Sequence, residues 1–180
     1  MLNNIQLSPH FSLLELTESA TARQRDIANI PPPEAVENLK RLCKGTLEPL
    51  RKALGLPVII TSGYRCKELN NIVNRSSKTS QHMQGCAADF YVSDDGAMRQ
   101  SRGSRFKVQD SKVLGRRELL IMGFRLIILN EDIDYDQLIL YPTFIHVSYV
   151  SRSKNRRKII KANGHGTYCT VTREAALCLS

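Results

Sequence analysis

The chain has 180 residues, of which 26 are Lys or Arg and 17 are Asp or Glu, for a formal charge of +9. At 42% hydrophobic residues it falls among globular domains, which excludes disordered, collagen-like and fibrous classes. No run approaches the roughly 18 apolar residues of a membrane span, and the length suits one domain.

From the amino end, Met1 to His10 lacks the basic and apolar regions of a secretory signal, so synthesis in the cytoplasm and export by a non-classical route are expected. Ser12-Leu13-Leu14-Glu15 has the spacing of a capping box that opens a short helix. Pro31, Pro32 and Pro33 end the preceding segment. Apolar residues at 36, 39, 43, 47, 50 and 54 then predict a helix. Pro49 predicts a kink near 45–48, and Gly55 stands where a C-cap glycine belongs. Val58 to Thr61 reads as a buried strand, left through Ser62-Gly63-Tyr64-Arg65, and Glu68 to Val73 as one or two helical turns.

Ala87 to Val92 and Phe144 to Val150 are further strands, each with a potential metal ligand among apolar neighbours. Between them lie a polar stretch from Asp94 to Lys112, an apolar segment from Val113 to Leu129 that suits a helix, and a short strand from Gln137 to Tyr141. Residues 1–162 are read as a single domain and 163–180 as a weakly ordered tail. The five cysteines are odd in number and share no C-x-x-C spacing, which favours free thiols.

His82, Asp89 and His146 supply two imidazoles and a carboxylate, a common ligand set for a catalytic zinc that keeps a fourth position for water. Side chains alternate along a strand, so Phe144, His146 and Ser148 share one face. Asp89 sits early in a neighbouring strand, and His82 lies in the loop that feeds it. The same residues also read as a capped loop histidine, a strand-end aspartate and a core histidine, and spacing alone does not choose between the two.

The segment Ser80-Gln81-His82-Met83-Gln84-Gly85-Cys86-Ala87-Ala88-Asp89 resembles the zinc D-Ala-D-Ala peptidases of the M15 type. Ser62-Gly63-Tyr64-Arg65 and Leu69-Asn70 before it, and Asp136-Gln137-Leu138-Ile139 and Ile145-His146-Val147-Ser148 after it, share the likeness. It extends over roughly residues 10 to 160, and the nearest branch is the phage and prophage wall-lytic, endolysin-like proteins. The resemblance implies an α+β, hedgehog/DD-peptidase-like fold with a central antiparallel sheet flanked by helices. It also implies Zn²⁺ held by His82, Asp89 and His146, and peptidoglycan stem peptides as substrate, cut by a carboxypeptidase or endopeptidase at D-amino-acid linkages. The expected site of action is the cell wall or periplasm, and the expected state a monomer.

Arg65 matches the family arginine after Ser-Gly-Tyr, expected to grip a substrate carboxylate or a developing oxyanion, with a loop-stitching salt bridge as the alternative. Ser80 and Gln81 are expected to line the peptide groove; alternatively, Ser80 caps the turn. One departure stands out. Many relatives carry a general-base carboxylate three residues before the last histidine ligand or shortly after the Gln-Leu-Ile stretch, and here those places hold Thr143 and Tyr141. Asp136 is the nearest candidate base, with a turn or strand-start role as the alternative, and Glu131, Asp132 and Asp134 follow.

Two other readings are kept: a non-catalytic wall-binding module of the same fold, and a nucleic-acid-binding protein driven by the charge. The basic segments 99–125 and 152–161 lack the interleaved aromatics of a stacking surface, so no specific nucleic acid is expected. A metal bound by His165, Cys169 and Cys178 is a remote option.

Overall fold

A computed structural model describes residues 5–73, 77–93, 115–163 and 166–179. A small antiparallel pair, β1 (Gln6–Ser8) and β2 (Phe11–Ser12), leads into α1 (Leu13–Thr17), whose first turn is capped by Ser12 Oγ accepting from Glu15 N at 3.2 Å. After α2 (Ala20–Gln24), the proline run opens α3 (Pro33–Leu42), with Pro33 in a first-turn position where a missing N–H costs nothing. The kink expected near 45–48 is a π-helical turn, Cys43–Leu47, closed by Glu48 N donating to Cys43 O. Beyond it, α4 (Glu48–Leu54) ends at Gly55 in the left-handed region, φ 63°.

The remaining elements are β3 (Val58–Ser62), α5 (Lys67–Ile72), a 3₁₀ turn at Gln81–Gln84, β4 (Ala87–Val92) and α6 (Arg116–Leu129). They are followed by β5 (Gln137–Leu140), β6 (Ile145–Ser148), β7 (Lys158–Ala162), β8 (Tyr168–Thr170) and α7 (Arg173–Leu177). Six strands form one sheet in the order β3-β4-β6-β5-β7-β8. The fold is α+β as expected. The antiparallel arrangement holds for four pairs, while β5 and β7 run parallel, so the sheet is mixed.

Strand alternation divides the sheet into two unlike faces. Ala88, Phe90 and Val92 of β4, Ile145 and Val147 of β6, Leu138 and Leu140 of β5 and Ile159 of β7 join one core with Leu39, Leu42, Leu47 and Leu50 of the α3–α4 region and Leu120, Phe124 and Ile127 of α6. The opposite face carries Asp89, His146, Ile139 and Ile160 in a row across four adjacent strands, since Asp89 pairs with His146, His146 with Ile139 and Ile139 with Ile160. The core face anchors the sheet. The other face is left to hold a site.

The carboxyl-terminal residues correct the expectation of a weakly ordered tail. β8 pairs antiparallel with β7, Ala176 of α7 is fully buried in the main core, and Arg125 Nη2 of α6 donates to Leu179 O at 2.6 Å. Ala176 and the half-buried Val171, Leu177 and Leu179 provide the apolar surface that docks the segment. The polar stretch from Asp94 to Lys112, most of the basic segment 99–125, and His165 lie outside the described residues. Cys169 and Cys178 are exposed, and no disulfide occurs among the described cysteines.

Candidate metal centre

Register brings the three expected ligands together. Asp89 on β4 lies directly opposite His146 on β6, and His82 reaches the same point from the 3₁₀ turn preceding β4. Asp89 Oδ1 is 2.7 Å from His146 Nδ1 and 3.3 Å from His82 Nε2, and the two ring nitrogens are 3.2 Å apart. An ion bonded tetrahedrally at 2.0–2.1 Å sets its ligand atoms about 3.3 Å apart, so two of these three spacings already match and the third is a hydrogen-bond length.

The strongest sign of a metal site lies behind His82. Its Nδ1–H donates to Gly63 O at 2.6 Å, which fixes the tautomer and leaves the Nε2 lone pair facing Asp89 and His146. Ligating histidines are commonly oriented by such a hydrogen bond from the other ring nitrogen to a carbonyl or carboxylate. His82 is only 2% exposed, and burial holds its pKa below the ordinary value despite the attraction of Asp89, so the ring is neutral as a ligand must be. Burial alone would raise the Asp89 pKa, but His82 and His146 outweigh it and keep the carboxylate ionised. The donor set, its tautomer and its charge fit a zinc ion.

Close backbone approach makes the arrangement possible. A Cβ on Gly63 would stand 2.2 Å from Leu16 O, and the neighbouring Tyr64 N donates to that same carbonyl at 2.7 Å. Gly85 ends the 3₁₀ turn at φ 70°, and a Cβ there would stand 2.3 Å from Ala35 O. Asn29, which the sequence reading passed over, organises the segment leading to Arg65. Its Nδ2 donates to Thr17 O and Tyr64 O at 2.8 and 2.9 Å, and its Oδ1 accepts from Cys66 N at 2.8 Å. An asparagine before a proline run carries no motif by itself.

The centre opens into a groove of about 840 Å³. Arg65, Ser80 and Gln81 all line it. Arg65 is 9% exposed, its Nη2 lies 3.8 Å from Asp89 Oδ2, and its Nε is buried without a hydrogen-bond partner. Burial lowers its pKa from the ordinary value, with Asp89 opposing, and the guanidinium remains charged. A long contact to one carboxylate oxygen is a poor loop staple, which leaves donors for a ligand. Ser80 makes no side-chain cap to the 3₁₀ turn.

The far wall comes from the carboxyl-terminal half of the chain. Tyr141 stacks on Phe144 with ring centroids 4.3 Å apart, and its hydroxyl lies 3.4 Å from that of Tyr168 on β8. Burial and the Tyr168 hydrogen bond raise the Tyr141 pKa, so the phenol stays protonated and serves as a donor.

Asp136 is placed differently from the expected base. It is 1% exposed and does not line the groove. Its Oδ1 accepts from Arg156 N and Nε, both at 2.9 Å, and its Oδ2 accepts from Gln81 Nε2 at 2.9 Å and from Arg156 Nη2. Burial favours its protonated form, but the Arg156 and Gln81 bonds prevail and hold its pKa down at about 2. A carboxylate with both oxygens occupied and so low a pKa is a poor proton acceptor near neutrality, which corrects the assignment of Asp136 as base.

The weaker candidates are no better placed. Asp134 is paired with Arg157 and Arg152, Glu131 and Asp132 are exposed, and none of the three lines the groove. Thr143 is exposed too. Among the described residues, Asp89 is the only carboxylate on the groove, and it belongs to the ligand set.

A neutral, oriented histidine, a second histidine and an ionised aspartate at the floor of a groove in an α+β domain form a donor set that fits metal-assisted hydrolysis. The family model described as Peptidase M15 matches residues 9–119, and the chain belongs to that peptidase family. The match includes Arg65, His82 and Asp89 and stops short of His146, which the sheet register brings to them. A search of curated proteins returned no match to the chain. Among the described residues, no helix is long and apolar enough to cross a membrane.

Proposed function

We infer that the protein is a zinc-dependent peptidase that hydrolyses peptidoglycan peptide bonds at D-amino-acid linkages, as a carboxypeptidase or an endopeptidase acting at the cell wall. The observation that carries this reading is the Gly63-oriented His82 facing Asp89 and His146 at ligand spacing, in a chain of the M15 family. Zinc bound there would supply Lewis-acid polarisation of the scissile carbonyl and a water with a pKa near 7.

The chain's own residues do the rest. The Asp89 carboxylate and the imidazoles of His82 and His146 would hold the ion. The buried Arg65 guanidinium offers charge-assisted hydrogen bonds to a substrate carboxylate or to the oxygen on which charge develops. Ser80 and Gln81 border one side of the bound peptide, and the protonated Tyr141 phenol donates from the other.

One observation favours a second reading, a wall-binding module of the same fold that does not cut. Among the described residues, no carboxylate outside the ligand set lines the groove. Metal analysis joined to a muropeptide assay separates the two. The peptidase reading expects one zinc per chain and release of new amino groups from muropeptides. It also expects loss of zinc in His82→Ala, Asp89→Ala and His146→Ala, and lost turnover with zinc retained in Arg65→Ala, since a missing transition-state charge partner costs about 3 kcal/mol. A zinc-loaded wild type that binds muropeptides without cleaving them makes the module reading the correct one. A wild type that takes up no zinc sinks both the metal centre and the peptidase.

A further inference from the structure

Asp136 joins four chain segments through its backbone and its buried carboxylate. Its N donates to Ser148 O at the end of β6 at 2.7 Å, and its own carbonyl accepts from Lys158 N at the start of β7 at 2.9 Å. Its side chain holds Arg156 through the backbone N and the guanidinium, and holds Gln81 through Nε2. Gln81 immediately precedes His82.

The turn that carries His82 has little of its own to hold it. Its internal bonds include Met83 N to Ser80 O at 3.1 Å, Gly85 N to His82 O at 3.2 Å and Cys86 N to Gln81 O at 3.0 Å, and from outside Arg65 N donates to His82 O at 3.2 Å and Asn38 Nδ2 to Gln84 O at 2.9 Å. One 3₁₀ turn with bonds of this length is a soft support, whereas a ligand side chain must be held to within about 0.5 Å by the groups behind it. Gly63 O holds the imidazole on one side, and the Gln81–Asp136 hydrogen bond ties the turn to the residue that precedes β5 on the other. Asp136 is kept ionised and oriented by Arg156, whose side chain is 58% exposed while that of Asp136 is only 2% exposed. An exposed arginine spent on a buried acceptor differs from the ordinary surface ion pair, because its removal would leave a charged carboxylate buried without its chief partner.

We propose that Arg156 is a positioning residue of the metal centre, acting through Asp136 and Gln81 to hold the His82 turn at ligand distance from Asp89 and His146. Arg156 lies in a run of basic residues beyond the segment matched by the family, where it looks like surface charge. The proposal rests on the metal-centre reading above, and its test has an arm that needs no metal.

The experiment compares full-length wild type with Arg156→Ala, Arg156→Lys, Gln81→Ala and the Arg156→Ala/Gln81→Ala double variant. Hydrogen exchange is followed by mass spectrometry on the metal-free proteins, and zinc affinity by competition with a chromophoric chelator. Arg156→Ala and Gln81→Ala should each speed exchange in the peptide spanning 80–86 while β3 stays as protected as in wild type. Each should weaken zinc binding by about tenfold, the size of effect usual for groups that orient a ligand. The double variant should be no worse than the more severe single, because both act through one connection.

Arg156→Lys keeps the charge without the two-pronged contact and should fall between wild type and Arg156→Ala. If Arg156→Ala does not fold, Arg156→Lys and Gln81→Ala carry the same comparison. Unchanged exchange over 80–86, zinc affinity within twofold of wild type, or faster exchange everywhere with zinc affinity preserved would each overturn the proposal, the last by showing a merely structural role. A wild type that binds no zinc refutes the metal reading, and the exchange arm then decides by itself whether Arg156 holds the turn.

Discussion

Asp136 shows how a residue's chemistry depends on what its neighbours leave free. With Arg156 on both oxygens and Gln81 on one, the carboxylate ionises far more readily than in an unfolded chain, at about 2 against an ordinary 3.8. A depressed folded-state pKa contributes stability above the unfolded value and loses it as pH falls through the folded one. Wild type should therefore exceed Asp136→Asn in melting temperature above about pH 4, and the gap should close as pH drops from 3.8 toward 2. Thermal melts of both proteins from pH 2 to 6 check this, and a gap that widens on acidification contradicts it. Hydrolysis by Asp136→Asn should fall through weakened zinc retention, so added zinc should recover much of it, whereas loss of a general base would persist at saturating metal.

At the scale of the element, the site depends on two turns that admit no side chain. Gly85→Ala would place a Cβ against Ala35 O in a backbone conformation that disfavours L residues. It should cost about 1–3 kcal/mol, measurable by urea unfolding, with cost near zero as the refuting result. Gly63→Ala meets Leu16 O and must push α1 and the β3 exit apart. Because Gly63 O orients His82, this variant should lose zinc affinity by tenfold or more as well as stability, which a chelator titration would show. The π-helical turn at Cys43–Leu47 has a similar logic. Pro49 lacks the N–H that an unbroken helix would use, and the chain absorbs the break in one widened turn just before it.

Across the whole molecule, the carboxyl-terminal segment is part of the domain and of the groove. β8 extends the sheet, α7 buries Ala176 against the core, and Tyr168 supports Tyr141 at the groove wall. A chain ending at residue 163 should melt at least about 5 °C lower, taking roughly 2–4 °C per kcal/mol for a domain of this size. It should also bind muropeptides more weakly even where zinc content is normal. Differential scanning calorimetry and a binding titration check the two parts, and a truncated chain equal to wild type in both would return the segment to the status of a tail.

The candidate ligands and their strands were legible because the signals are local. Ala87 to Val92 shows its strand in a run of six residues, His82 and Asp89 lie seven positions apart in one motif, and alternation around His146 turns it to a single face. Gly55, the prolines and Ser12 marked helix ends by the same short-range chemistry. The roles of Asp136, Arg156 and the last strand were hidden for the opposite reason. An aspartate in an acidic patch and an arginine in a basic run look alike whether solvated or paired, and only the parallel pairing of β5 with β7 brings Arg156 to Asp136. Desolvation and partner choice are properties of the assembled sheet. So the chain's own order of residues brought out the three candidate ligands, and the tertiary structure decided that the Asp136 carboxylate is taken up by Arg156 and Gln81.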